Sequence, residues 1–167
     1  GGNLAASSNG NAITQTGGLT VAGTSNINAG ASTITLAQTA NDFQSTVTLS
    51  NTGTHDVSIR DTNALTLAGI AVGGNLSIQS NGALTQTGAF VVTGTTSVNA
   101  GAGTITLTQA ANDFQSAVTL SNTGANATSI TDTNALTLGT LALGGNLTAS
   151  STGALNLGTG TVGGTLA

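Results

Sequence analysis

The 167-residue chain contains no Pro, Cys, Met, Trp or Tyr and only three Phe. Lys and Glu are missing too, which leaves Arg60 and the carboxylates Asp42, Asp56, Asp61, Asp113 and Asp132, with a formal charge of −4. Each absence excludes something. Without cysteine there is no disulfide framework, no thiolate metal cluster and no thiol nucleophile. One Arg cannot neutralise a run of phosphates, so nucleic acid is excluded as a partner. No stretch approaches 18 consecutive apolar residues and no basic amphipathic face exists, which argues against membrane insertion. The charged fraction is 4%, against about 25% in an ordinary soluble domain.

What remains is Gly, Ala, Thr, Ser and Asn interleaved with Leu, Ile and Val. Disordered chains are usually rich in charge and Pro and poor in β-branched residues. This chain is 38% hydrophobic, and its β-branched residues alternate with polar ones, which is strand composition. Separate strands of this kind would aggregate, so the fold must pair nearly every strand internally.

Self-comparison shows how. Asn41-Asp42-Phe43-Gln44-Ser45 returns 71 positions later as Asn112 to Ser116, and Val47 to Gly53 returns as Val118 to Gly124. Asp61 to Leu67 returns as Asp132 to Leu138, and Gly73-Gly74-Asn75-Leu76 as Gly144 to Leu147. An earlier copy of that last motif is Gly1-Gly2-Asn3-Leu4. The internal repeat therefore covers about 1–72, 73–143 and a partial 144–167, and the chain starts and stops within the pattern, as a segment of something longer would. Short alternating runs inside each unit, separated by Gly, Asn and Ser corners, predict three strands of three to five residues per coil. The expected fold is all-β: one continuous right-handed parallel β-helix (a β-solenoid) over 1–167. It has about seven coils, at 3–22, 24–44, 46–72, 75–93, 95–115, 117–143 and 146–167, three to each full unit. Leu76, Ile78, Leu84, Val98, Ile105, Leu107, Val118, Leu120, Ile130, Leu136 and Leu138 point inward in this reading. Phe43, Phe90 and Phe114 join them.

The chain resembles large secreted exoproteins of the filamentous haemagglutinin type. The motifs that carry the likeness are Gly-Gly-Asn-Leu at 73–76, Asn-Gly-Ala-Leu-Thr-Gln-Thr-Gly at 81–88 and Gly-Thr-Thr-Ser-Val-Asn-Ala-Gly at 94–101. Ala-Asn-Asp-Phe at 111–114 and Asp-Thr-Asn-Ala-Leu-Thr-Leu at 132–138 continue it. The resemblance implies β-helical rods carried across a Gram-negative outer membrane by a partner transporter (two-partner secretion), to an extracellular or cell-surface location. It implies service as adhesins or surface fibres. No secretion signal, transporter-recognition domain or receptor-binding tip is read in these residues, so a host-surface or matrix ligand would bind elsewhere. The lack of Cys and Pro suits a chain threaded unfolded, which avoids premature disulfides and slow prolyl isomers.

Candidate chemistry is thin. Asp42 and Asp113 are repeat equivalents, as are Asp61 and Asp132, and are expected to cap corners through backbone N–H bonds. A carbohydrate-acting β-helix enzyme would need its carboxylates gathered in one groove, so no catalytic residues are assigned. His55, Asp56, Arg60 and Asp61 form the only charged cluster, but Asn126, Ala127 and Thr131 replace the first three in the second unit. Neither an EF-hand nor a calcium nonapeptide occurs, so no metal or cofactor is expected. The Gly-Gly pairs read as corner glycines, and Asn28, Asn51 and Asn63, with Asn99, Asn122 and Asn134, as stacked corner residues that bond along the axis. Thr14-x-Thr16, Thr33-x-Thr35, Thr85-x-Thr87, Thr104-x-Thr106 and Thr131-x-Thr133 suggest a Thr array on one outward face, the alternative being an ice-binding solenoid. The leading expectation is a non-catalytic shaft that self-associates end to end within a longer chain, or laterally between rods.

Overall fold

A computed structural model describes all 167 residues. It contains strands, turns and bends but no helix. The first coil holds β1 (Leu4–Ser7), β2 (Ile13–Thr14) and β3 (Thr20–Val21). The second holds β4 (Ser25–Asn28), β5 (Ile34–Leu36) and β6 (Asp42–Phe43). The third has β7 (Val47–Ser50), β8 (Val57–Arg60) and the first half of the eight-residue β9 (Leu65–Val72), whose second half opens the fourth. There it is followed by β10 (Leu76–Gln79) and β11 (Leu84–Gln86). The fifth coil carries β12 (Phe90–Val92), β13 (Thr96–Asn99) and β14 (Ile105–Leu107). The sixth carries β15 (Asp113–Phe114), β16 (Val118–Ser121) and β17 (Thr128–Asp132). The seventh is built from both halves of β18 (Leu136–Leu143) and β19 (Leu147–Ser151). β20 (Leu155–Asn156), β21 (Thr159–Val162) and a bridge from Leu166 to Leu147 complete an eighth.

Every pairing is parallel, each strand lying on the strand one coil earlier. The expected β-solenoid with three strands per coil is therefore present, with one revision to the coil count. The two 27-residue coils expected at 46–72 and 117–143 each contain four strand segments. In β9, Val47 pairs with Leu67 but Thr48 pairs with Gly69, so a bulge at Ala68 carries one strand around a corner. The same shift occurs in β18, where Val118 pairs with Leu138 and Leu120 with Leu141. The bulge inserts one extra residue, so two small or polar residues, Ala68-Gly69 and Gly139-Thr140, stand between inward side chains; that gap is the corner's only mark in sequence. There are eight coils, not seven.

The bulges also change the meaning of the repeat. Between β10 and the end of β18 lie ten strand segments, counting β18 as two. At three segments per coil, one 71-residue unit makes three and a third coils. Equivalent residues consequently do not stack. Ser25 sits in the column Leu4–Ser25–Val47, whereas its equivalent Thr96 sits in the column Val57–Leu76–Thr96–Val118. Each unit repeats its predecessor one face further round, about 120° on and about 16 Å along, taking 4.8 Å per coil.

A single cluster of 32 buried hydrophobic residues fills the interior. All eleven residues expected to point inward belong to it, as do Phe43, Phe90 and Phe114. Phe90 and Phe114 meet edge to face, their ring centroids 6.3 Å apart. Gly73 and Gly144 are required by close approach. A Cβ on either would fall inside contact distance of the carbonyl oxygen of Gly53 or Gly124, one coil away. Gly53 and Gly124 themselves adopt φ of 72°, which glycine tolerates without strain.

Among the inward side chains that break the apolar pattern, Thr128 is bonded to Asn122, whereas the hydroxyls of Ser25 and Thr96 are buried without hydrogen-bond partners. A buried unpaired hydroxyl costs about 1–3 kcal/mol. Thr96→Val keeps the shape and removes that cost, so it should raise stability by about 1 kcal/mol in urea unfolding. Gly73→Ala, which must push coils apart, should lower it by about 2 kcal/mol or more.

Candidate functional site

The polar groups that could act chemically sit at corners, where strands end and the axial ladder is interrupted. Asp61 follows β8 and is fully buried. Its Oδ2 accepts the N–H of Phe43, one coil below, at 2.8 Å, and its Oδ1 accepts the N–H of Asn63 at 2.8 Å. Asp132 repeats this arrangement with Phe114 at 3.0 Å and Asn134 at 2.9 Å. These carboxylates take the place of ladder carbonyls where β6 and β15 have no strand stacked above them. Asp56 does related work in accepting the N–H of Asn75 at 2.8 Å.

Asp42 and Asp113 face outward. Asp42 accepts Gln44 Nε2 at 2.8 Å and Asn63 Nδ2 at 3.0 Å, and Asp113 accepts Gln115 and Asn134 at 2.9 and 2.8 Å. Asp42 lines a shallow groove of about 420 Å³ with Gln44, Ser45, Thr46, Asn63 and Thr66. The groove presents one carboxylate, with both oxygens engaged by neighbouring amides, while Asp61 is turned into the wall behind it. A pair of carboxylates flanking a substrate is not formed there. In the charged cluster, Asp61 is buried whereas Asp56 is exposed and Arg60 partly so. Arg60 Nε is buried without a hydrogen-bond partner. No group of three or more His or carboxylate side chains converges to hold a metal ion.

The most heavily bonded side chains are carboxamides that sequence reasoning did not single out as functional. Asn41 and Asn112 are fully buried. Asn41 forms a reciprocal amide pair with Gln15, 2.7 and 2.8 Å, and also accepts the N–H of Leu19 at 3.0 Å and donates to the carbonyl of Leu36 at 2.9 Å. Asn112 does the same with Gln86, Phe90 and Leu107. The available signal was an Asn held in both units between apolar runs.

Asn51 and Asn122 were expected to stack on other Asn residues. Because repeat equivalents lie on different faces, that ladder cannot form. Asn51 instead ties three coils together through backbone: it donates to the carbonyls of Ser32 and His55 and accepts the N–H of Gly73. Asn122 holds Gly103, Asn126 and Gly144 in the same way. Asn28 and Asn99 make only local bonds, to the N–H of Gly30 and Gly101, while Asn63 and Asn134 reach down one coil to Asp42 and Asp113.

The Thr-x-Thr pieces do not share a face either. Thr14 and Thr35 lie on β2 and β5, whereas Thr85 and Thr106 lie on β11 and β14, a face further round. The partners Thr16, Thr33, Thr87 and Thr104 fall at corners outside the strands, as does Thr133 after β17. Single hydroxyl rows run up two faces instead. One is Thr14–Thr35–Ser58–Ser77–Ser97–Thr119. The other is Thr66–Thr85–Thr106–Ser129–Thr148.

Burial raises the Asp61 carboxyl above its ordinary range against the pull of the Asn63 and Phe43 N–H bonds, and the nearby Asp42 charge adds to the rise. Folding then favours the protonated form. The stabilisation is complete below the ordinary carboxylate value near 3.9 and is lost as pH rises through the raised folded value. Asp42 runs the other way: bonds from Gln44 and Asn63 lower it, so its contribution is lost as pH falls through the lowered value. The stability of the native chain relative to Asp61→Asn should therefore fall as pH rises from about 3 to about 6. Asp61→Ala and Asp132→Ala, each leaving two N–H groups without their acceptor, should cost about 1–3 kcal/mol in denaturant titrations.

Residues 1–50, 54–121 and 124–167 match a family described as repeats of unknown function, DUF5649. No curated protein and no solved structure matches the chain.

Proposed function

The chain belongs to the DUF5649 family of repeats of unknown function, and for it we propose a mechanical role as the non-catalytic shaft of a secreted bacterial adhesin or extracellular surface fibre. The observation that carries this reading is the continuity of pairing: on the second face, parallel strands follow one another without a break from the first coil to the eighth, and each of the other two faces is interrupted once, above β6 or β15. Backbone hydrogen bonds between coils run along the rod axis, so a pull on the rod loads the bonds of all three faces together. The buried carboxamides of Asn41, Asn51, Asn112 and Asn122 add side-chain bonds across the same boundaries. A neutral wall suits this use, since stacked charges 4.8 Å apart would repel along every row.

The likeness to filamentous-haemagglutinin-type exoproteins supports the surface location. So does a composition free of Cys and Pro, which would otherwise slow folding after export. Whatever is recognised at a host surface or matrix would be recognised outside this wall, whose exposed groups are mostly single hydroxyls and amides.

The test is surface labelling of intact bacterial cells that express the complete gene product, with antibody raised against this chain. Labelling before lysis, together with a filament that shortens by about 16 Å for each 71-residue unit deleted, is the expected result. Labelling only after lysis overturns the proposal.

A further inference from the structure

The hydroxyl row on the second face, Thr14, Thr35, Ser58 and Ser77, reappears 71 residues later as Thr85, Thr106, Ser129 and Thr148 on the third face. One strip is thus written twice, on two sides of the same rod. Building on the shaft reading, we infer that these strips are docking surfaces for other copies of this chain. Having two of them on different sides makes the association open-ended: rods assemble into bundles instead of closing as pairs.

A hydroxyl both donates and accepts, so a row of them is complementary to another such row in either direction and at each step of one coil. Charge does not oppose the approach. Asp42, Arg60 and the buried Asp132 are the charged residues on strands of these two walls, and the rows themselves carry none. A surface that meets its own copy on one face closes after two molecules, whereas non-coincident faces leave a free strip on every rod added. The contact is weak singly. A face about 38 Å long and about 13 Å wide buries about 500 Å² per rod, close to the lower limit for a specific interface. Bundles of this segment therefore need high local concentration, as at a crowded cell surface.

The experiment uses the full chain and outward Lys substitutions spaced to avoid neighbouring charges: Thr35→Lys with Ser97→Lys on the second face, Thr106→Lys with Thr148→Lys on the third. All four positions are exposed, and circular dichroism with thermal melting confirms that each variant folds. Sedimentation and small-angle scattering across concentration read the assembly. The native chain should grow without a fixed stoichiometry. Either two-site variant should stop at small assemblies held by the remaining face, and the four-site variant should stay monomeric to about ten times the native threshold. Loss of all assembly from one two-site variant would mean a single docking face and overturn the inference. Native-like assembly of the four-site variant would overturn it too. Extended native rods that remain monomeric throughout would sink the inference alone, whereas scattering from a non-rod particle would sink the shaft reading beneath it.

Discussion

Along each strand, alternate residues turn their N–H and C=O to the coil above and to the coil below, and the side chains are arranged around that exchange. Register decides which residues share a column, and so which faces are apolar inside and hydroxylated outside. A slip of one residue would turn every inward Leu, Ile and Val to solvent. The chain's near neutrality follows from the same exchange, because anything placed in a column meets its neighbours at 4.8 Å spacing. Like charges in such positions would oppose the backbone bonds they accompany.

Where the exchange fails, side chains supply the missing partner. The third coil turns its corner on a bulge, and β6 is left without a strand above it. Asp61 then brings a carboxylate to the N–H of Phe43, as Asp132 does for Phe114. Asn41, Asn51, Asn112 and Asn122 serve other corners in the same manner. Their burial would be costly if any of their polar atoms lacked a partner, and several distinct backbone and amide groups meet them instead. The polar residues most conspicuous for catalysis or metal binding are largely consumed in holding coils together.

Much of the fold was legible in the amino-acid sequence because its signals are local. Alternation marked Leu76, Ile78, Ile105, Leu107 and the other inward residues, and Gly-Gly pairs with Gly, Asn and Ser between the runs marked sharp corners. The coil count was not legible, for a physical reason. Leu65–Val72 breaks its alternation only at Ala68-Gly69, and so short a gap reads as part of one strand, not as a corner. Once that corner is missed, a 71-residue unit divides neatly into three coils, and the Asn and Thr residues stack on their equivalents in error. Asn41 and Asn112 were hidden differently. An Asn beside an Asp reads as a solvent-facing corner, and only the packing shows that the Asp faces out and the Asn faces in.

The fractional coil number also couples length to direction. Inserting one unit into an array lengthens it and swings whatever follows through a third of a revolution; removing one swings it back. Only changes in multiples of three units, ten whole coils, preserve the azimuth. For a fibre whose working part must face a particular way, copy number is therefore an angular variable as well as a linear one. Unequal recombination between these near-identical units would re-aim the fibre as readily as resize it.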